Sequence, residues 1–157
     1  MFPYQSQKLT RNKNTHFWVS SEANFTGILF DIKPCMAKRI LVADDDPGIQ
    51  DIFKIILESA GYIVEIISNG EDLLDDNYTV PDLFLLDKRL SGIDGIDICH
   101  HLKNQEITAH IPVIMVSANP GIGVLAREAG ADDFIEKPFD IKHLLEQLLI
   151  QTKVAPM

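Results

Sequence analysis

From Met36 onward, five short, almost unbroken apolar runs, KRILVA, YIVEII, DLFLL, IPVIMV and DFIE, alternate with segments whose apolar residues recur at helical spacing. A strand with one wet face alternates polar and apolar side chains, whereas a strand covered on both faces reads as a continuous hydrophobic run. The pattern therefore predicts an α/β fold, a parallel sheet between helices, with helices near 47–60, 70–76, 95–104, 122–129 and 141–151.

The first helix carries the clearest local signals. Pro47 suits a first helical turn, Asp46 before it can cap the free amides, and Gly61 closes the segment. Ile49, Ile52, Phe53, Ile56 and Ala60 form one expected apolar stripe, which leaves Ile55 exposed beside Asp51, Lys54 and Glu58. No internal repeat or low-complexity tract interrupts the regular part, so it reads as one domain.

At 157 residues and 46% hydrophobic content the chain is long enough to bury a core of its own. Its formal charge of −9 speaks against direct contact with nucleic acid or an anionic membrane, both of which need a basic surface. Cys35 and Cys99 are far apart and make no CxxC spacing, so neither a zinc knuckle nor a disulfide framework is expected, and a reducing cytoplasm fits. No apolar run reaches membrane-spanning length, and MFPYQSQKLTRNKN lacks the apolar stretch of a signal peptide.

Residues 1–36 differ from the rest: four basic residues against two acidic ones give +2, which leaves −11 for the remainder. This part is polar, without periodicity, and its one strand-like piece is FTGILFDI before Pro34. The expected division is an extension over 1–36, flexible or preceding the true start, a domain over 37–152 and a tail over 153–157.

ILVADDD poses the chemical question, because a buried strand runs straight into Asp44, Asp45 and Asp46. Carboxylates held this close raise one another's pKa unless a cation sits among them. In an open parallel sheet, sites form at the carboxyl ends of strands. Those ends carry Asp44 and Asp45, then Asp87, Ser117 and Lys137, predicted to converge on one edge. Hard oxygen donors of this kind suit Mg²⁺, with Mn²⁺ as an alternative.

These motifs, ILVADDD, LFLLDKRLSGIDG, VIMVSA and AGADDFIEKPF with the final amphipathic helix, resemble in order the receiver domain of two-component response regulators. The resemblance covers about three quarters of the chain. It implies a flavodoxin-like doubly wound sheet of order 2-1-3-4-5. It implies that Asp87 accepts a phosphoryl group from a histidine kinase, a histidine phosphotransfer protein or a small donor such as acetyl phosphate, and signals to a downstream protein. By the same resemblance Asp45 ligates Mg²⁺ directly, Asp44 acts through water or by orienting it, and the Arg89 backbone carbonyl is a further ligand. Lys137 pairs first with Asp87 and then with the phosphoryl group. Ser117 is the switch hydroxyl and Phe134 the aromatic switch residue. Arg89 and Asn119 stand at lifetime-tuning positions, Ile55 lies on the face that docks the kinase, and the Lys137–Pro138 bond is expected to be cis. The implied protein is a monomer or a weak phosphorylation-dependent dimer, and catalyses only its own phosphorylation and dephosphorylation.

Plainer readings stand beside these. Asp46 suits a cap better than a ligand, Phe134 is equally a fixed packing aromatic, and Ser117 could be an ordinary small residue at a strand end. His100 and His101 are adjacent on a helix and point apart, so they cannot share a metal. Gly121 and Gly123 lack the rest of a dinucleotide fingerprint, and Cys99 reads as core. A phosphatase of the haloacid dehalogenase type would want an acid where this chain has Arg89. Two departures from the family pattern stand out. Ser91 replaces a usual proline, expected to loosen its loop, and Pro120, Gly121 and Gly123 in a shortened interval should leave the fourth helix late or frayed. With only QTKVAPM after the last helix, the expectation is a stand-alone receiver, or else a receiver-like adaptor that acts without phosphorylation.

Overall fold

The structure, a computed structural model, describes residues 36–153 and, before them, Thr10–Arg11 and Trp18–Val19. The chain divides into two compact units, Met1–Met36 and Ala37–Met157. In the first, Thr10–Arg11 and Trp18–Val19 pair antiparallel. FTGILFDI, Cys35 and residues 154–157 lie outside the described residues.

The second unit alternates strands and helices as its apolar runs predict. The order is β1 (Arg39–Ala43), α1 (Pro47–Ser59), β2 (Ile63–Ile67), α2 (Glu71–Leu74), β3 (Leu83–Asp87), α3 (Gly95–Lys103), β4 (Val113–Ser117), α4 (Ile122–Glu128), β5 (Asp133–Glu136) and α5 (Ile141–Lys153). The five strands form one parallel sheet in the order β2-β1-β3-β4-β5. The register pairs Ala43 with Leu86, Asp87 with Val116 and Ser117 with Glu136, which brings the carboxyl ends of the strands level.

Alternate residues of each strand feed two cores. Leu41, Ala43, Phe84, Leu86, Val113 and Met115 pack with Leu73, Ile98, Leu102, Ile122 and Ala126 of α2, α3 and α4. Ile40, Val42, Leu83, Leu85, Ile114 and Val116 pack with Phe53 and Leu57 of α1 and with Leu144 and Leu148 of α5. The three central strands β1, β3 and β4 are thus apolar on both faces, which is why their runs lack alternation. Cys99 is fully buried in the first core, and burial pushes its thiol up to about 11, so it behaves as a packing residue.

The phase of α1 differs from the expected stripe. Phe53 and Leu57 are buried, Ile49 and Ile56 flank them, and Ile52 and Ala60 are exposed. Centred on Phe53 and Leu57, the buried arc leaves Ile52 more than a quarter-turn away, while Ala60 caps the helix beyond its last turn. Ile55 lies opposite that arc and is 66% exposed, as expected. Gly61 reverses the chain at φ 94°, a conformation open to glycine. The fourth helix, expected late or frayed, starts at the expected Ile122; α4 has seven residues and no side-chain cap. Among the described residues no helix is long and apolar enough to cross a membrane.

Candidate functional site

The level strand ends place Asp44, Asp45 and Asp87 together, with carboxylate oxygens all within 4.8 Å of one another. Asp44 follows β1 and is 2% exposed. Its Oδ1 accepts from the Asp46 N–H at 2.9 Å and its Oδ2 accepts from Lys137 Nζ at 3.1 Å. Asp45 is exposed, and its Oδ2 accepts from the Ser91 main-chain N–H at 3.1 Å. Asp46 turns away to cap α1, accepting at Oδ1 from Gly48 N at 2.8 Å and Ile49 N at 3.2 Å. The acidic triplet thus splits into two cluster members and a cap.

Asp87 ends β3, half-buried, with Oδ1 3.5 Å from Lys137 Nζ. Burial pushes its carboxyl above the usual aspartate range; Lys137 opposes that rise and Asp44 adds to it. Lys137 is held over the cluster from the far side of the sheet edge. Its main-chain N–H donates to the Ser117 carbonyl at 2.9 Å, and the following bond to Pro138 is cis. The Lys137 ammonium is shared between Asp87, its expected partner, and Asp44, which lies nearer.

Ser117 ends β4, 5% exposed, and its Oγ accepts from the Asn119 N–H at 3.1 Å. The Asn119 side chain points into the entry of α4, accepting from Gly121 N at 3.0 Å. Phe134 is half-buried against the α2–α4 core, beside Gly123. The Arg89 side chain is exposed two residues beyond Asp87. His100 and His101 diverge as expected: His100 is exposed, while His101 turns to Asp76, 3.6 Å away.

Arg89–Leu90 and Ile93–Asp94 pair as a small antiparallel hairpin that walls the site. Lys88 Nζ donates to Asp94 Oδ2 at 2.7 Å, and Asp94 caps α3 by accepting from Ile96 N at 2.9 Å. Burial pushes the Asp94 carboxyl up, but the Lys88 hydrogen bond and the Ile96 N–H outweigh it and hold it low. Gly95 N donates to the Lys88 carbonyl at 2.7 Å, and a Cβ at Gly95 would run into the Asp87 carbonyl. Only glycine lets α3 start this close to the cluster.

Ser91 is a second correction. It does not loosen the hairpin, since its N–H reaches Asp45 and its Oγ donates to the Ser68 carbonyl at 3.3 Å. Ser68, Gln50 and Gly95 are site residues the sequence did not single out, and Ser91 stood out only as a departure from the family pattern. Most of these contacts have a main-chain group on one side, the Ser91 and Gly95 N–H groups and the Asp44 and Ser68 carbonyls, and such groups leave no side-chain signature. The only hint was the Ser-Gly pair at a family position usually held by proline.

The response regulator receiver domain family matches residues 40–149. The DNA-binding dual master transcriptional regulator RpaA of Synechocystis sp. is 40% identical over 115 residues, which are 70% of this chain and 47% of RpaA. A putative response regulator from Chloroflexus aurantiacus superimposes with a TM-score of 0.71 at 28% identity, covering 75% of this chain and 99% of that one. The receiver domain of sensor histidine kinase PA1611 from Pseudomonas aeruginosa, with a magnesium ion coordinated in its active site cleft, gives a TM-score of 0.69 at 27% identity over 75% and 99% of the two chains. The chain belongs to the response regulator receiver family of two-component systems. It spans about half the length of the curated relatives it matches.

Proposed function

We propose that Asp87 is the phospho-acceptor of a Mg²⁺-dependent switch built from residues 37–152. The observation that carries the reading is a nucleophile-capable carboxylate at the end of β3, inside a 4.8 Å cluster of three carboxylates and beside one lysine. Three hard anionic oxygens facing a single ammonium leave negative charge in excess, which fits a hard divalent cation. Asp44, Asp45, Asp87 and the Arg89 carbonyl would hold it. When bound, Mg²⁺ supplies positive charge to the phosphoryl oxygens.

In the transfer, an Asp87 oxygen attacks phosphorus and the bond from phosphorus to the donor nitrogen or acyl oxygen breaks, leaving an acyl phosphate on the protein. An ionised carboxylate needs no general base, so the surrounding residues act by positioning and charge. Lys137 neutralises charge developing on the phosphoryl oxygens. Ser117 exchanges its bond to the Asn119 N–H for one to the phosphoryl group, and Phe134 turns inward as the hydroxyl moves. Arg89 and Asn119, each two residues beyond a reacting group, set how long the acyl phosphate lasts.

The partners in this reading are proteins: a histidine kinase or phosphotransfer protein as donor and a downstream protein as target. RpaA is a DNA-binding regulator, but the −11 balance beyond residue 36 disfavours contact of this domain with DNA. Ile55, bare on α1, is assigned to donor docking. Ile55→Glu should slow transfer from the cognate kinase while sparing labelling by acetyl phosphate, and equal slowing of both would remove the docking role.

Intact-protein mass spectrometry after incubation with acetyl phosphate tests the core of the proposal. A phosphoryl adduct that needs both Mg²⁺ and Asp87, and is absent in Asp87→Asn, is the expected result. No adduct from either acetyl phosphate or a kinase, in folded protein, would leave the adaptor reading instead.

A further inference from the structure

Ser91 and Gly92 occupy the two-residue turn of the hairpin with φ of 48° and 89°. Two positive φ values in succession make the mirror-image turn whose twist matches a hairpin. In that turn the Ser91 N–H is free of the ladder and donates to Asp45 Oδ2 at 3.1 Å. Proline, fixed near φ −65° and without an N–H, could neither adopt this conformation nor make this bond. The hydroxyl adds a second tie, since Ser91 Oγ donates to the Ser68 carbonyl at 3.3 Å. Gln50 Nε2 in turn donates to Ser68 Oγ at 3.0 Å and to the Asp44 carbonyl at 2.5 Å. An arc of hydrogen bonds thus runs from the Asp44 backbone through Gln50, Ser68 and Ser91 to the Asp45 side chain.

We infer that Ser91 is a positioning residue for the cation site: its main-chain N–H holds the Asp45 carboxylate in the cluster with Asp44 and Asp87. The inference rests on the Mg²⁺ reading above. Asp45 is the exposed member of the cluster, and an exposed carboxylate otherwise loses rotamer freedom when a cation binds. A donor already in place removes that cost, and partners of this kind typically govern metal affinity by about ten- to a hundredfold. The donor is a backbone group of a tied turn, so it is itself ordered before the cation arrives.

Isothermal titration of Mg²⁺ into the unphosphorylated full chain separates the possibilities. Ser91→Pro removes the donor and should weaken Mg²⁺ binding about tenfold. Ser91→Gly keeps the N–H and tolerates positive φ, and should recover most of that loss. Equal affinity in wild type and Ser91→Pro overturns the role of Ser91 alone. A wild-type protein with no Mg²⁺ affinity overturns the cation reading and this inference with it. Should Ser91→Pro fail to fold, the amide proton of Ser91 decides the matter by NMR without metal. It should move upfield in Asp45→Asn, where the charged acceptor is gone, and an unmoved resonance overturns the inference.

Discussion

Two lysines, at opposite ends of the same sheet, meet carboxylates in contrasting ways. At the amino ends, Lys103 Nζ donates to Asp132 Oδ2 at 2.7 Å, to the Ile111 carbonyl at 2.7 Å and to the Ala109 carbonyl at 3.5 Å. The same Asp132 oxygen accepts from Val113 N at 2.8 Å, so one cation meets one anion and the remaining valences go to backbone. At the carboxyl ends, Lys137 faces Asp44 and Asp87 at longer distances, with Asp45 adding a third negative charge. The lysine side chains are 15% and 21% exposed, so burial does not distinguish them. Charge matching does: a balanced, fully hydrogen-bonded pair fastens α3 to β4, whereas the carboxyl-end cluster sets three carboxylates against one ammonium.

The largest expected effect comes from breaking the balanced pair. Lys103→Met leaves two carbonyls without their donor and Asp132 with the Val113 N–H alone. It should cost about 2 kcal/mol in urea unfolding, a value already reduced for solvent at the more exposed Asp132. The loss should be the same with and without Mg²⁺, and acetyl phosphate labelling should survive in the folded fraction. A Mg²⁺-dependent loss would show that the two ends of the sheet are coupled and would break the comparison.

Removing the other lysine should do less to the fold and more to the chemistry. Lys137 makes two longer contacts where Lys103 makes three bonds, so in Lys137→Met unfolding should shift by about 1 kcal/mol, and added Mg²⁺ should recover most of it by replacing the lost charge. Labelling of Asp87 should fall sharply. A loss as large as that of Lys103→Met, unrelieved by Mg²⁺, would mean that Lys137 is chiefly structural.

The same contrast explains what the sequence disclosed. Asp44, Asp45, Asp87, Ser117 and Lys137 were legible because each follows a buried apolar run, and parallel topology levels the ends of such runs. The strand order followed from the family resemblance, and Asp46 was legible as a cap from Pro47 beside it. Lys103 was not, because its partners are carbonyls of Ala109 and Ile111 and an aspartate 29 positions away. Ser91 was misread for the related reason that a backbone N–H at positive φ has no side-chain pattern. The phase of α1 erred at Ile52 because apolar identity alone does not say where a buried arc ends.

The smallest effect has the opposite sign. The Asp87 carboxyl is raised chiefly by burial, so the folded protein holds that proton more tightly than the unfolded chain does. Below the ordinary aspartate range both states are protonated and Asp87 costs nothing. As pH rises through the raised folded value, the folded state alone carries the penalty of an enclosed charge, and stability is lost. Asp87→Asn removes that titration. Without divalent cation the variant should therefore melt above wild type at neutral pH, and the two melting temperatures should converge as the medium is acidified. Mg²⁺ should narrow the gap at neutral pH, since it stabilises wild type through a carboxylate that the variant lacks. A variant less stable than wild type at neutral pH would mean that the lysine's attraction outweighs burial and Asp44 together. The carboxyl-end cluster would then be as well matched as the Lys103 pair.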